Sequence, residues 1–85
     1  MQGNREACPC CGYLTVPGGE DAVGYICPVC FWEIDPFQAE EEPSISNHGL
    51  TLPEARENYR RYGAVKEDLV RYCRAATIEE HPKKH

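Results

Sequence analysis

The chain has 85 residues, with 14 acidic and 9 basic side chains, a formal charge of -5, and 41% hydrophobic residues against 27% charged. That is room for a single domain, 1–85, with a modest core. It holds no apolar run of the roughly 18 residues that a membrane helix needs. The acidic balance disfavours nucleic acid as a partner, because binding to phosphates draws on a positive surface.

The start, MQGNREAC, lacks the apolar stretch of a secretory leader. The expected location is therefore the cytoplasm. There, clustered thiols point to metal or redox chemistry rather than disulfides.

In chain order, 1–7 reads as a short flexible lead-in and 8–34 as a cysteine-rich segment. Tyr13–Val16 and Val23–Ile26 are rich in β-branched and aromatic residues and flank Pro17-Gly-Gly-Glu-Asp21. They predict a β-hairpin leading from one cysteine pair to the next. Phe31–Ile34 supplies a possible third short strand.

Residues 35–50 read as an acidic loop containing Asp35-Pro36, Glu40-Glu41-Glu42 and Pro43. The segment 51–76 is helical. Thr51 and Glu54 form a capping-box signature with Pro53 in the first turn, and Gly63 is a natural stop after Tyr62. A second helix is expected from Val65 to about Ala76, where Val65, Leu69, Tyr72 and Ala76 make one apolar stripe. Residues 77–85 read as a tail, frayed from Glu79 onward.

Cys8-Pro-Cys-Cys11 and Cys27-Pro-Val-Cys30 are two C-x2-C pairs separated by fifteen residues. This spacing suits a four-cysteine zinc site built from Cys8, Cys11, Cys27 and Cys30. Two intervening residues allow a tight turn with both sulfurs facing inward, and backbone N–H groups of the turn can donate to the first sulfur. Gly12 supplies the positive φ that such a turn often needs. Four thiolates leave no coordination position for water, so the site is structural rather than catalytic.

Redox dithiols are the alternative use of C-x2-C, but the βαβ pattern that accompanies it is missing. Iron competes with zinc, since tetrahedral sulfur suits both. The Cys-Cys-Gly-Tyr run at 10–13 is also similar to the first knuckle of rubredoxins. Metal binding worth about 10–16 kcal/mol exceeds what so small a core supplies, so folding is expected to depend on the metal.

The remaining cysteines have plainer readings. Cys10 should point away from the metal as an idle exposed thiol, and Cys73 should be a small core residue. His48 is surplus as a ligand and is expected to hydrogen-bond a metal-bound sulfur or the loop before Thr51. Asn47 beside it should cap or turn the chain.

Trp32 should pack on the first helix and cover the metal site; the rival reading is an exposed anchor for a partner. Arg56, Arg60, Arg61, Arg71 and Arg74 make the helices locally basic, as solvated surface, as pairing for Glu40–Glu42, or as a docking face for an acidic partner. No catalytic constellation stands out, and a small-molecule substrate is disfavoured.

The run Cys8-Pro-Cys-Cys-Gly12, then Cys27-Pro-Val-Cys-Phe-Trp-Glu33, Asn47-His48 and the Leu52–Ala64 helix ending Arg-Arg-Tyr-Gly-Ala resembles the bacterial cysteine-rich CPCC family. The resemblance spans about residues 7–75. It implies a small zinc-ribbon-like module with Cys8, Cys11, Cys27 and Cys30 as ligands, and no established reaction. It also makes a toxin-immunity or antitoxin role conceivable. Phe31 departs from the usual knuckle, where glycine often follows the second cysteine, which bears on the turn rather than the ligation.

The expected fold is a small metal-stabilised α+β domain, with zinc-ribbon or rubredoxin-like knuckles, a β-hairpin and two short C-terminal helices. The expected function is a non-enzymatic protein-interaction module, with a rubredoxin-like iron redox protein as the other class.

Overall fold

The computed structural model describes residues 5–35 and 41–82. The expectations for residues 1–4 of the lead-in, for Pro36 and Glu40 of the acidic loop, and for 83–85 of the tail lie outside the described residues. The architecture is a small α+β fold with a two-stranded antiparallel hairpin and helical segments following it.

The hairpin consists of β1 (Arg5–Ala7) and β2 (Leu14–Pro17). The expected strand at 13–16 is therefore present within a residue, but its partner is not Val23–Ile26. The lead-in residues Arg5–Ala7 take that place. The cause is local: each C-x2-C turn is itself a hairpin loop, and short loops close at less entropic cost than long ones. Val23–Ile26 behaves likewise, pairing across its own cysteine turn through the Ile26–Glu33 bridge. Ile34 N–H donates to Tyr25 C=O at 2.8 Å and Gly24 N–H to Ile34 C=O at 3.0 Å. Phe31–Ile34 thus contributes one side of a second, shorter pairing.

Helix α1 (Leu52–Tyr62) forms as its sequence signals require. Thr51 Oγ1 accepts from Glu54 N–H at 3.2 Å, and the Glu54 carboxylate accepts from Thr51 N–H at 3.0 Å. The helix stops at Gly63, which takes φ 91° while its N–H closes on Tyr59 C=O. Leu52 and Ala55 face the core.

The second helical segment is a 3-10 turn over Glu67–Tyr72 rather than an α-helix over 65–76. Its flanks are committed elsewhere: Val65 N–H donates to Cys30 C=O at 2.9 Å and Arg74 N–H to Pro28 C=O at 3.1 Å. The Arg74 N–H, which a continuous helix would bond to Val70 C=O, instead joins the Val65 N–H in clamping the second cysteine turn. Val65 is buried, but Tyr72 on the expected apolar stripe is 60% exposed.

The tail is also more ordered than expected. Thr77 and Glu80 form a capping box around a 3-10 turn at Ile78–Glu80. Glu80 is buried, bonded by Arg74 at 2.9 and 2.8 Å, with Arg5 of β1 3.9 Å away. His81 meets the Tyr13 ring edge-on at 5.0 Å. Residues 77–81 therefore form a latch against the first hairpin.

Among the described residues, one core gathers Trp32, Val29, Val16, Leu52, Ala55 and Val65 around the cysteine sulfurs. Trp32 is 1% exposed and belongs to this core together with Leu52 and Ala55 of α1. That agrees with its expected packing and removes it as an exposed anchor.

Candidate metal centre

The two cysteine turns have the same backbone construction. In the first, Cys8 N–H donates to Tyr13 C=O at 2.9 Å and Gly12 N–H to Cys8 C=O at 2.8 Å. In the second, Cys27 N–H donates to Trp32 C=O at 2.9 Å and Phe31 N–H to Cys27 C=O at 2.8 Å. The residue after each second cysteine has positive φ, 83° at Gly12 and 74° at Phe31. Phe31 thus adopts the glycine-type turn despite its side chain.

This construction turns the sulfurs of Cys8, Cys11, Cys27 and Cys30 toward one point. All four lie within 4.8 Å of one another. Across the turns, Cys8 Sγ is 3.6 Å from Cys30 Sγ, and Cys11 Sγ is 3.7 Å from Cys27 Sγ. A disulfide would need about 2.0 Å. A tetrahedral tetrathiolate with metal–sulfur bonds of about 2.3 Å has sulfur–sulfur edges of about 3.8 Å. The four cysteines therefore fit a metal ion, and all six cysteines are free thiols.

The electrostatics point the same way. Four thiolates cannot share so small a volume without a cation, because each charge disfavours the next. Cys27 is pushed well below the usual thiol range, first by hydrogen bonding from Cys11, then from Cys30 and Cys8, with the Thr15 hydroxyl adding to it. Cys8 is pulled down first by Cys11, whose backbone amide also contributes. Cys11 is pushed up chiefly by Cys27, and Cys30 chiefly by Cys10 and then Cys11. A divalent ion would offset the mutual repulsion of four thiolates held this close. Tyr59, half-buried beside this charge, is pushed up to about 12 by burial and then by Cys11.

Around the four cysteines, several residues depart from expectation. Cys10 is 8% exposed and part of the core, so it is not an idle surface thiol. The second turn lies deep in the fold, and Cys10 is drawn in beside Cys30. His48 is exposed and stands outside the four-sulfur group; its contribution is a left-handed backbone, φ 64°, that closes the turn at Ile45–Asn47. Cys73 is half-buried and gives a weak bond to Leu69 C=O at 3.5 Å.

Asn47 does more than turn the chain. Its side chain accepts from Glu33 N–H at 2.6 Å and donates to Glu33 C=O at 2.9 Å. It pairs with the main chain as a neighbouring strand would, fixing the exit of the second turn. Of the basic residues, Arg56 donates to Pro9 C=O at 2.9 Å, tying α1 to the first turn. Arg60 pairs with Glu57 on its own helix. No sequence signal announced Asn47's role, whereas the Thr77-x-x-Glu80 spacing of the latch was visible.

No helix among the described residues is long and apolar enough to cross a membrane. No curated protein and no solved structure matches the chain. The family model described as "Cysteine-rich CPCC" matches residues 6–80, which takes in both cysteine turns, α1 and residues 77–80 of the latch. The chain belongs to the cysteine-rich CPCC family.

Proposed function

We propose that this protein is a non-enzymatic interaction module of a reducing, cytoplasmic compartment, held together by one zinc ion on Cys8, Cys11, Cys27 and Cys30. The observation that carries the reading is the four-sulfur cluster with its cross-turn spacings of 3.6 and 3.7 Å. A full set of protein thiolates leaves no position for water or substrate, which suits a structural ion. One zinc per chain by elemental analysis of protein from ordinary medium is the expected result. One iron per chain, with the red colour of an oxidised iron tetrathiolate, would replace this reading with the redox one, which the same sulfur set also suits.

The interaction role draws on the surface beside the second cysteine turn. Tyr72 lies against Phe31 with ring centroids 5.8 Å apart, and the Arg71 guanidinium sits 5.8 Å from the Tyr72 centroid. Arg61 stands 5.6 Å from the Tyr62 centroid in the same way. Neither arginine has a carboxylate partner among the described residues. Exposed tyrosine and arginine together are typical of binding hot spots, and unpaired guanidiniums suit an acidic protein face.

In affinity capture, the Arg61→Glu/Arg71→Glu double variant should lose a partner that the wild type retains, by at least about tenfold. Equal recovery with both baits, or no partner even at reduced salt, argues against this surface.

A further inference from the structure

We propose that Thr15 is a positioning residue of the metal centre: a β-bulge brings its hydroxyl onto the Cys27 sulfur, where it donates a hydrogen bond that makes this thiolate less nucleophilic and slows metal loss. The inference rests on reading the four sulfurs as a metal site.

Two independent features of the hairpin converge on it. The first is the register. Glu6 pairs with Val16 and Ala7 with Leu14, so Thr15 is the extra residue on β2, opposite no partner. A bulge of this kind breaks the alternation of a strand and re-aims one side chain. Here Thr15 and Val16 are consecutive and both buried, where a regular strand would turn one of them outward. Thr15 N–H, freed from the ladder, closes on Tyr13 C=O at 2.8 Å.

The second feature is the contact itself. Thr15 Oγ1 lies 3.1 Å from Cys27 Sγ, and both residues are 0% exposed. A metal-bound thiolate carries no proton, so the hydroxyl is the donor. Thr15 is the one residue other than cysteine whose side chain bonds a ligand sulfur among the described residues. Its β-branch restricts the side-chain rotation, which holds the donor in place.

If Thr15 were only filling the core, isosteric Thr15→Val would serve as well or better, because it buries no hydroxyl. If the hydroxyl acts on the sulfur, Val fails and Ser, which keeps the donor, succeeds.

The test uses the full chain loaded with zinc, and in parallel with cobalt(II). For Thr15→Val we expect zinc transfer to a chromogenic chelator, and N-ethylmaleimide labelling at Cys27 mapped by mass spectrometry, to accelerate by about tenfold. Labelling of the other ligands should lag. The sulfur-to-cobalt charge-transfer band should move to lower energy, since losing the donor raises the sulfur lone pairs. Thr15→Ser, which keeps the donor but not the β-branch, should restore most of the rates and of the band position.

A Val variant with wild-type rates and spectrum would overturn the proposal. So would equal acceleration at all four cysteines without rescue by Ser, which marks general loosening. A wild type that takes up neither zinc nor cobalt would instead bring down the metal-centre reading itself, and the inference with it.

Discussion

The two cysteine turns share a hydrogen-bond plan but sit in different surroundings. The first, Cys8–Gly12, is the more exposed of the two: Cys8 and Cys10 are buried, but Pro9 and Gly12 are exposed and Cys11 is half-buried. The second, Cys27–Phe31, is the floor of the fold: Cys27, Val29, Cys30 and the following Trp32 are buried. The first meets its backbone requirement with a glycine at positive φ. The second places phenylalanine there, at a cost of about 1–2 kcal/mol. What offsets that cost is tertiary: Phe31 packs on Tyr72, and Val65 and Arg74 N–H groups clamp the turn from outside. One turn follows a local rule; the other is held in shape by its neighbours.

The broadest way to break the comparison is to remove the metal that we propose both turns hold. Thorough chelation should abolish cooperative thermal unfolding by circular dichroism, since the ion contributes about 10–16 kcal/mol. A chain that still melts cooperatively would show that the core alone suffices.

The next largest effect separates the turns. Trp32→Ala, beneath the second, should cost about 3–5 kcal/mol in chemical denaturation, whereas Pro9→Ala on the exposed first should stay within about 0.5 kcal/mol. Similar losses at both sites would erase the distinction between floor and rim.

The positive-φ residues sharpen it further. Gly12→Ala should destabilise by about 1–2 kcal/mol, because alanine gains nothing there to compensate. Phe31→Gly should change stability by less than about 1 kcal/mol, as relief of strain and loss of the ring contact nearly cancel. In a Tyr72→Ala background the same substitution should shift toward stabilising, because the ring contact with Tyr72 is already gone while packing on the core remains. An unchanged effect there would show that Tyr72 contributes nothing to holding Phe31.

A small effect of a different kind concerns the latch, where Glu80 joins Arg74, at the second turn, to Arg5, beside the first. Arg74 holds the Glu80 carboxyl down to about 2, from an ordinary value of 4.5. A depressed carboxyl stabilises above its unfolded value and loses that contribution as pH falls toward its folded value. Glu80→Gln should therefore cost about 1 kcal/mol at neutral pH. That deficit should hold down to about pH 5 and then shrink as pH falls from 4.5 toward 2. A deficit independent of pH would mean that Glu80 acts by packing.

The sequence by itself determined the parts whose physics is local. The two C-x2-C spacings located the sulfur cluster because two residues between ligands permit only a few inward-facing turns. Thr51, Glu54 and Gly63 bounded α1 because caps satisfy backbone groups within one turn of chain. Only the tertiary structure decided the strand partners, the bulge at Thr15, the burial of Cys10, the 3-10 form of 67–72 and the docking of Glu80 onto Arg74 and Arg5. Arg5–Ala7 carries no strand signal of its own and becomes a strand because the cysteine turn folds it back on Leu14–Pro17. Hydrogen bonds between residues distant in sequence, such as Asn47 to Glu33 or Arg74 to Pro28, have no fixed spacing to read. They form only where the fold places those segments side by side.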